Sequence, residues 1–232
     1  MKMNFLDQNS LYSTLDSLSE SLFFQKHIPN DQYITAARWI VSREGLPGAY
    51  AGMFAPTAQD TLGIRLFTGE AIRSQARIAH ILGEEGCRIL ALLHVTDAQV
   101  RASLDRAVQG FVARLEETER NGYGTGTYCC GTCSAAYWRN LAIHLLPRSE
   151  ERLRLGLNEL KQARSGNGKW RRFPFYYTCL ALTEIGPELA REEMQYAALS
   201  WRNNLRKLSS TESPVARRRA TVGQRLLELC ET

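Results

Sequence analysis

With 232 residues, the chain is long enough for one large domain or two small ones, and its 44% hydrophobic and 23% charged content is that of a globular protein. No apolar run approaches the roughly 20 residues of a membrane span, and MKMNFLDQNS lacks the basic-then-apolar order of a secretory signal; a cytoplasmic protein is the expectation. The net charge of +5 is concentrated: Arg202 to Arg225 holds seven basic residues against one acid, Glu212, and the remainder is close to neutral.

In chain order, Ser10 is placed to cap a helix over Leu11 to about Gln25, with Leu11, Leu15, Leu18 and Leu22 on one stripe. Pro29, Asn30 and Asp31 start a second helix over about 32–43, stopped at Gly45. Pro56 suits the first position of a helix running to about Phe67, and another is expected over Glu70 to Leu82, interrupted by Gly83 and Gly86. Thr96 with Gln99 is a capping-box pattern opening the amphipathic run Val100, Leu104, Ala107, Val108, Phe111, Val112 and Leu115. Further helices are predicted over Ser134–Leu146, from Ser149 through Leu160, from Pro174 to Ile185, over 188–208 and over 215–229. Period-two alternation is scarce, so the fold class is all-α. The domain expectation is one helical domain over 1–208, a linker at 209–214 and a basic C-terminal helix over 215–232.

Three segments share an order of helix, loop with glycine and an aromatic, then helix. Gly48-Ala49-Tyr50, Gly122-Tyr123 and Gly168-Lys169-Trp170 hold equivalent places in them. Such repeats imply α/α-hairpins stacked side by side, each burying its neighbour's apolar face, in a solenoid or a closed ring of about ten helices. Over residues 32–186 this order resembles the α/α-toroid repeat of squalene cyclases and protein prenyltransferase β subunits. The resemblance implies a cavity lined by aromatics. Neither the acidic DxDD motif of the cyclases nor a DDxxD magnesium motif occurs in the chain. The loop Tyr128-Cys129-Cys130-Gly131 is also similar to the zinc-binding loops of the lanthionine cyclases.

Chemistry concentrates in two stretches. In the first, Cys130 and Cys133 have the Cys-x2-Cys spacing that brings two thiolates to one zinc ion; Cys129 and His144, or His94, His80 or Asp60, would complete the site. The same pair can act as a catalytic dithiol, with Cys133 near a helix N-terminus that favours its thiolate. Tight packing of small residues is the third reading, since cysteine is among the most buried types.

In the second stretch, Lys169, Arg171 and Arg172 precede the helix at Pro174. Fixed positive charge beside unpaired backbone N–H groups suits a phosphate or diphosphate there. Trp170, Tyr176 and Tyr177, with Tyr128 and Trp138, are the candidates for lining an apolar cavity. The four histidines read as structural, and the acid pairs Glu84-Glu85, Glu150-Glu151 and Glu192-Glu193 read as helix starts or exposed faces. The functional expectation is an enzyme or binder taking an apolar, isoprenoid-like anionic ligand. The alternative is a non-enzymatic α-solenoid contacting protein or nucleic acid through its basic C-terminal segment.

Overall fold

The computed structural model describes residues 5–122, 124–208 and 212–231, without the side chains at 203, 204 and 206–208. It is mostly helical: α1 (Leu11–Phe23), α2 (Asn30–Val41), α3 (Gln75–Leu92), α4 (Ala98–Arg120), α5 (Gly131–Ala142), α6 (Ser149–Gln162), α7 (Phe175–Ile185), α8 (Pro187–Leu208) and α9 (Pro214–Glu231). Strands β1 (Ile64–Arg65) and β2 (Ala71–Ile72) pair antiparallel. No helix among the described residues is long and apolar enough to cross a membrane. Tyr123 of the second glycine–aromatic pair and 209–211 of the expected linker lie outside the described residues.

The chain forms two compact units where the sequence suggests one domain over 1–208: Met1–Arg65 with Ala71–Thr118, and Leu66–Glu70 with Glu119–Thr232. In the first unit, α1 packs on α2 and α3. Ser10 caps α1 as expected, its hydroxyl accepting from the Ser13 N–H at 2.9 Å. The helix expected from Pro56 to Phe67 does not form, because its central residue serves another helix. Buried Asp60 accepts from Ser10 Oγ (2.7 Å) and from the N–H groups of Leu11 (3.0 Å) and Thr57 (2.8 Å). The carboxylate therefore sits on the positive end of α1. Only one 3-10 turn, Asp60–Leu62, remains before β1.

Gly83 and Gly86 do not interrupt a helix either; both lie inside α3. A Cβ at Gly83 would meet Met53 Cε at 2.9 Å, and one at Gly86 would meet the Phe54 ring at 2.6 Å. The two glycines make the shelf on which the loop after α2 rests. That loop closes on itself through the Glu44–Phe54 bridge. Arg43 ties it further, donating to the Ala55 and Pro56 carbonyls at 2.5 and 2.7 Å. At α4 the cap is Asp97 and not Thr96: its Oδ1 accepts from the N–H groups of Gln99 and Val100.

In the second unit, α7 packs against α5, α8 and α9, with α6 against α5 and α8. The basic C-terminal helix, expected as a separate element, is part of this core: Gly223 of α9 lies so close to the Trp201 ring that a Cβ there would clash with it. Two arginines of α9 are engaged internally. Arg218 lies over the Phe67 ring at 4.3 Å and donates to the Phe67 carbonyl, and Arg219 lies over the Tyr176 ring at 4.0 Å and donates to the Thr68 carbonyl at 2.7 Å.

Candidate thiol centre

The loop leading into α5 is held from below by the helix it precedes. Ser134, one turn into α5, accepts the Tyr128 N–H at 2.9 Å and donates back to the Tyr128 carbonyl at 3.2 Å. Trp138, a further turn on, donates its indole N–H to the Gly126 carbonyl at 2.8 Å. Gly131 opens the helix directly against the backbone of the loop before α7, where a Cβ would clash with the Arg172 carbonyl oxygen. These contacts fix the three cysteines. Cys129 is exposed and takes a left-handed φ of 58°, Cys130 is the extended N-cap residue and half-buried, and Cys133 is buried one turn in.

Cys133 lies near both of the other sulfurs. Cys130 Sγ and Cys133 Sγ are 3.6 Å apart, and those of Cys129 and Cys133 lie within 4.8 Å of each other. None of the six cysteines forms a disulfide. The first turn of a 12-residue helix places partial positive charge beside Cys130 and Cys133. His144 is not brought to them. It follows the far end of α5, and 12 residues at about 1.5 Å each put it roughly 18 Å along the axis.

The second expected stretch is assembled differently. Trp170 is buried and donates its indole N–H to Glu193 at 2.7 Å, and its ring meets Phe175 and Tyr196. Tyr177 is buried, with its hydroxyl accepting from Arg139 at 3.3 Å. Trp138 is buried and stacked on Phe173 at 5.5 Å, and Tyr128 is buried beside Tyr137. These four aromatics are core residues; Tyr176 alone of the five is half-exposed, under Arg219.

The basic residues do not converge on the helix start. Lys169 lies over the Phe175 ring at 5.5 Å, Arg171 donates to the Gln162 carbonyl at 3.3 Å, and Arg172 is exposed with a φ of 68°. An anion does sit at the N-terminus of α7, and it belongs to the chain: Glu70 accepts the Tyr177 N–H at 3.1 Å. An open groove of about 540 Å³, lined by Leu90, His94, Val95, Arg101, Leu104 and Asp105, involves none of these residues.

Sequence reasoning misses Ser134, Glu193 and Glu70 as positioning residues. Ser134 has a usable signal, since it stands one turn beyond Cys130 in CCGTCS. Glu70 is 107 positions from its partner and leaves no local trace. Glu150 and Glu151 do lie in the first turn of α6, while the other two acid pairs are corrected. Glu84 lies buried in mid-α3, 3.1 Å from His80, whose ring meets Tyr50 at 4.0 Å; Glu85 binds Ser19 and Arg88. Glu193 is likewise buried.

No protein-family profile matches the chain, and no curated protein or solved structure is significantly similar to it.

Proposed function

We propose that this is a helical-repeat protein whose chemistry is thiol–disulfide exchange at Cys130 and Cys133. The observation that carries the reading is the 3.6 Å separation of the two sulfurs across the first turn of α5. A disulfide requires about 2.05 Å, so closure takes a side-chain movement of about 1.5 Å. Cys130 is the more accessible of the two and is the attacking thiolate. It attacks one sulfur of a low-molecular-weight disulfide, forming a mixed disulfide and releasing one thiolate. Cys133 then attacks Cys130 Sγ, closing the internal bond and releasing the second thiolate. The dithiol loses two electrons, the small disulfide gains them, and the two cysteine protons end on the two released thiols.

Supporting the repeat part of the proposal, a helix is followed by a bridge-closed glycine loop twice: Glu44–Phe54 after α2 and Arg164–Trp170 after α6. A toroid-like ring is the arrangement this order would extend to. A reversible dithiol fits a reducing, cytoplasmic setting. The apolar-ligand reading has less support, because Trp138, Trp170 and Tyr177 are held in the core by hydrogen bonds. Nucleic-acid contact through the basic segment has less as well, since Arg218 and Arg219 hold the 66–70 backbone.

Incubation of the reduced protein with oxidised glutathione, followed by mass spectrometry, tests the reading. A loss of two mass units mapped to a Cys130–Cys133 peptide is expected, and Cys130→Ser abolishes it. Stable glutathione adducts without internal closure would rule the exchange out.

A further inference from the structure

A dithiol needs two cysteines, and this loop presents three. We infer that Cys129, Cys130 and Cys133 together form a metal site for Zn²⁺, a borderline-soft ion suited to thiolates. The inference shares the reduced dithiol with the proposed function and adds the residue that exchange does not use.

Two sulfurs bound to one zinc ion at about 2.3 Å in tetrahedral geometry stand about 3.8 Å apart. Cys130 and Cys133 are already at 3.6 Å, close to that edge length. Cys129 Sγ lies within 4.8 Å of Cys133 Sγ, so Cys133 is the sulfur the other two share, and side-chain rotation at the exposed Cys129 would close the third corner.

The backbone is arranged for this set. Cys129 has a left-handed φ of 58°, which turns the chain between Tyr128 and the N-cap residue Cys130. The neighbouring turn is pinned on both sides. Ser134 exchanges two hydrogen bonds with Tyr128, and the Cys130 N–H donates back to the Tyr128 carbonyl at 2.6 Å, closing the turn immediately ahead of α5. A loop fixed in this way presents its sulfurs before the ion arrives, so little ordering is left to be done on binding.

Metal analysis of the reduced full-length protein, dialysed first against Zn²⁺ and then against metal-free buffer, tests the site, with Cys129→Ser as the comparison. About one ion per chain is expected for the unaltered protein, and at least a ~100-fold weaker affinity for Cys129→Ser in competition with a chromophoric chelator. Cys129→Ser should still lose two mass units with oxidised glutathione, which shows that the variant is folded and that exchange is intact. No retained zinc, or equal retention by the variant, overturns the metal site and leaves the exchange reading standing. Loss of the mass change with zinc retained overturns the exchange reading alone.

Discussion

Two loops of the second unit, 121–130 and 163–174, look alike in sequence: each follows a helix, contains glycines and aromatics, and leads into another helix. They differ in what the fold does with their side chains. In the second, the features that suggest a ligand are answered from within the chain, Trp170 by Glu193 and the start of α7 by Glu70. In the first, the indole of Trp138 in the following helix is answered in the same way by Gly126, while Cys129 is left exposed and Cys130 half-buried at the loop's end. Residue type alone does not separate a reactive loop from a packing loop. What separates them is which atoms the fold turns inward and which it leaves within reach of solvent.

The largest expected effect concerns the thiols. Burial holds Cys87 and Cys179 in the protonated form, pushing both well above the ordinary thiol range, with Glu84 adding to the effect at Cys87. At pH 8, iodoacetamide should therefore modify Cys129 and Cys130 at least about a thousandfold faster than Cys179, which reacts only after the core opens. Comparable rates, read by peptide mass mapping, would erase the contrast between core and loop. The same shift has a pH signature. The fold keeps these thiols protonated, while the unfolded chain ionises them above about pH 8.5 and is stabilised by doing so. The part of the stability that comes from these two thiols should therefore be constant below that point and fall steadily as pH rises above about 8.5, as followed by urea unfolding.

Next in size is Trp138→Ala. A fully buried indole stacked on Phe173 should cost about 3–5 kcal/mol in urea or thermal unfolding. A loss below about 1 kcal/mol would mean that the ring faces open space, and would revive the cavity reading.

Much of the helical frame is legible in the sequence. The Leu11, Leu15, Leu18 stripe, the Ser10 cap and the Pro174 start each depend on neighbours within a few residues, and α1 and α7 form as expected. The failures share a cause. Pro56 to Phe67 reads as a helix because Asp60's partners, Ser10 and Leu11, lie about 50 positions away. Gly83 and Gly86 read as breaks because the Met53 and Phe54 side chains that require them lie on a separate loop. At the candidate site, the cysteine spacing points to a turn of chain where Cys130 and Cys129 each have their sulfur near that of Cys133. The fates of Lys169, Arg171 and Tyr177 are set by Phe175, the Gln162 carbonyl and Arg139, and no spacing rule reports those.

A smaller effect tests the helix start that Glu70 occupies. Glu70→Ala removes the acceptor of the Tyr177 N–H and of the Thr68 hydroxyl, and should cost about 0.5–2 kcal/mol, seen as a lower urea midpoint at unchanged m-value. Added phosphate should not restore it. Recovery by phosphate would show that the start of α7 takes a free anion once Glu70 is removed.

The smallest effect belongs to the charges that first suggest a ligand. Lys169→Ala combined with Arg171→Ala removes one exposed cation–ring contact and one exposed hydrogen bond to a backbone carbonyl. Changes of this kind at the surface stay within about 0.5 kcal/mol. The double variant should unfold with the unaltered protein and close the Cys130–Cys133 disulfide at the same rate. A slower closure with unchanged stability would show that the two loops act on one reaction, and the division between a packing loop and a chemical loop would then have to be abandoned.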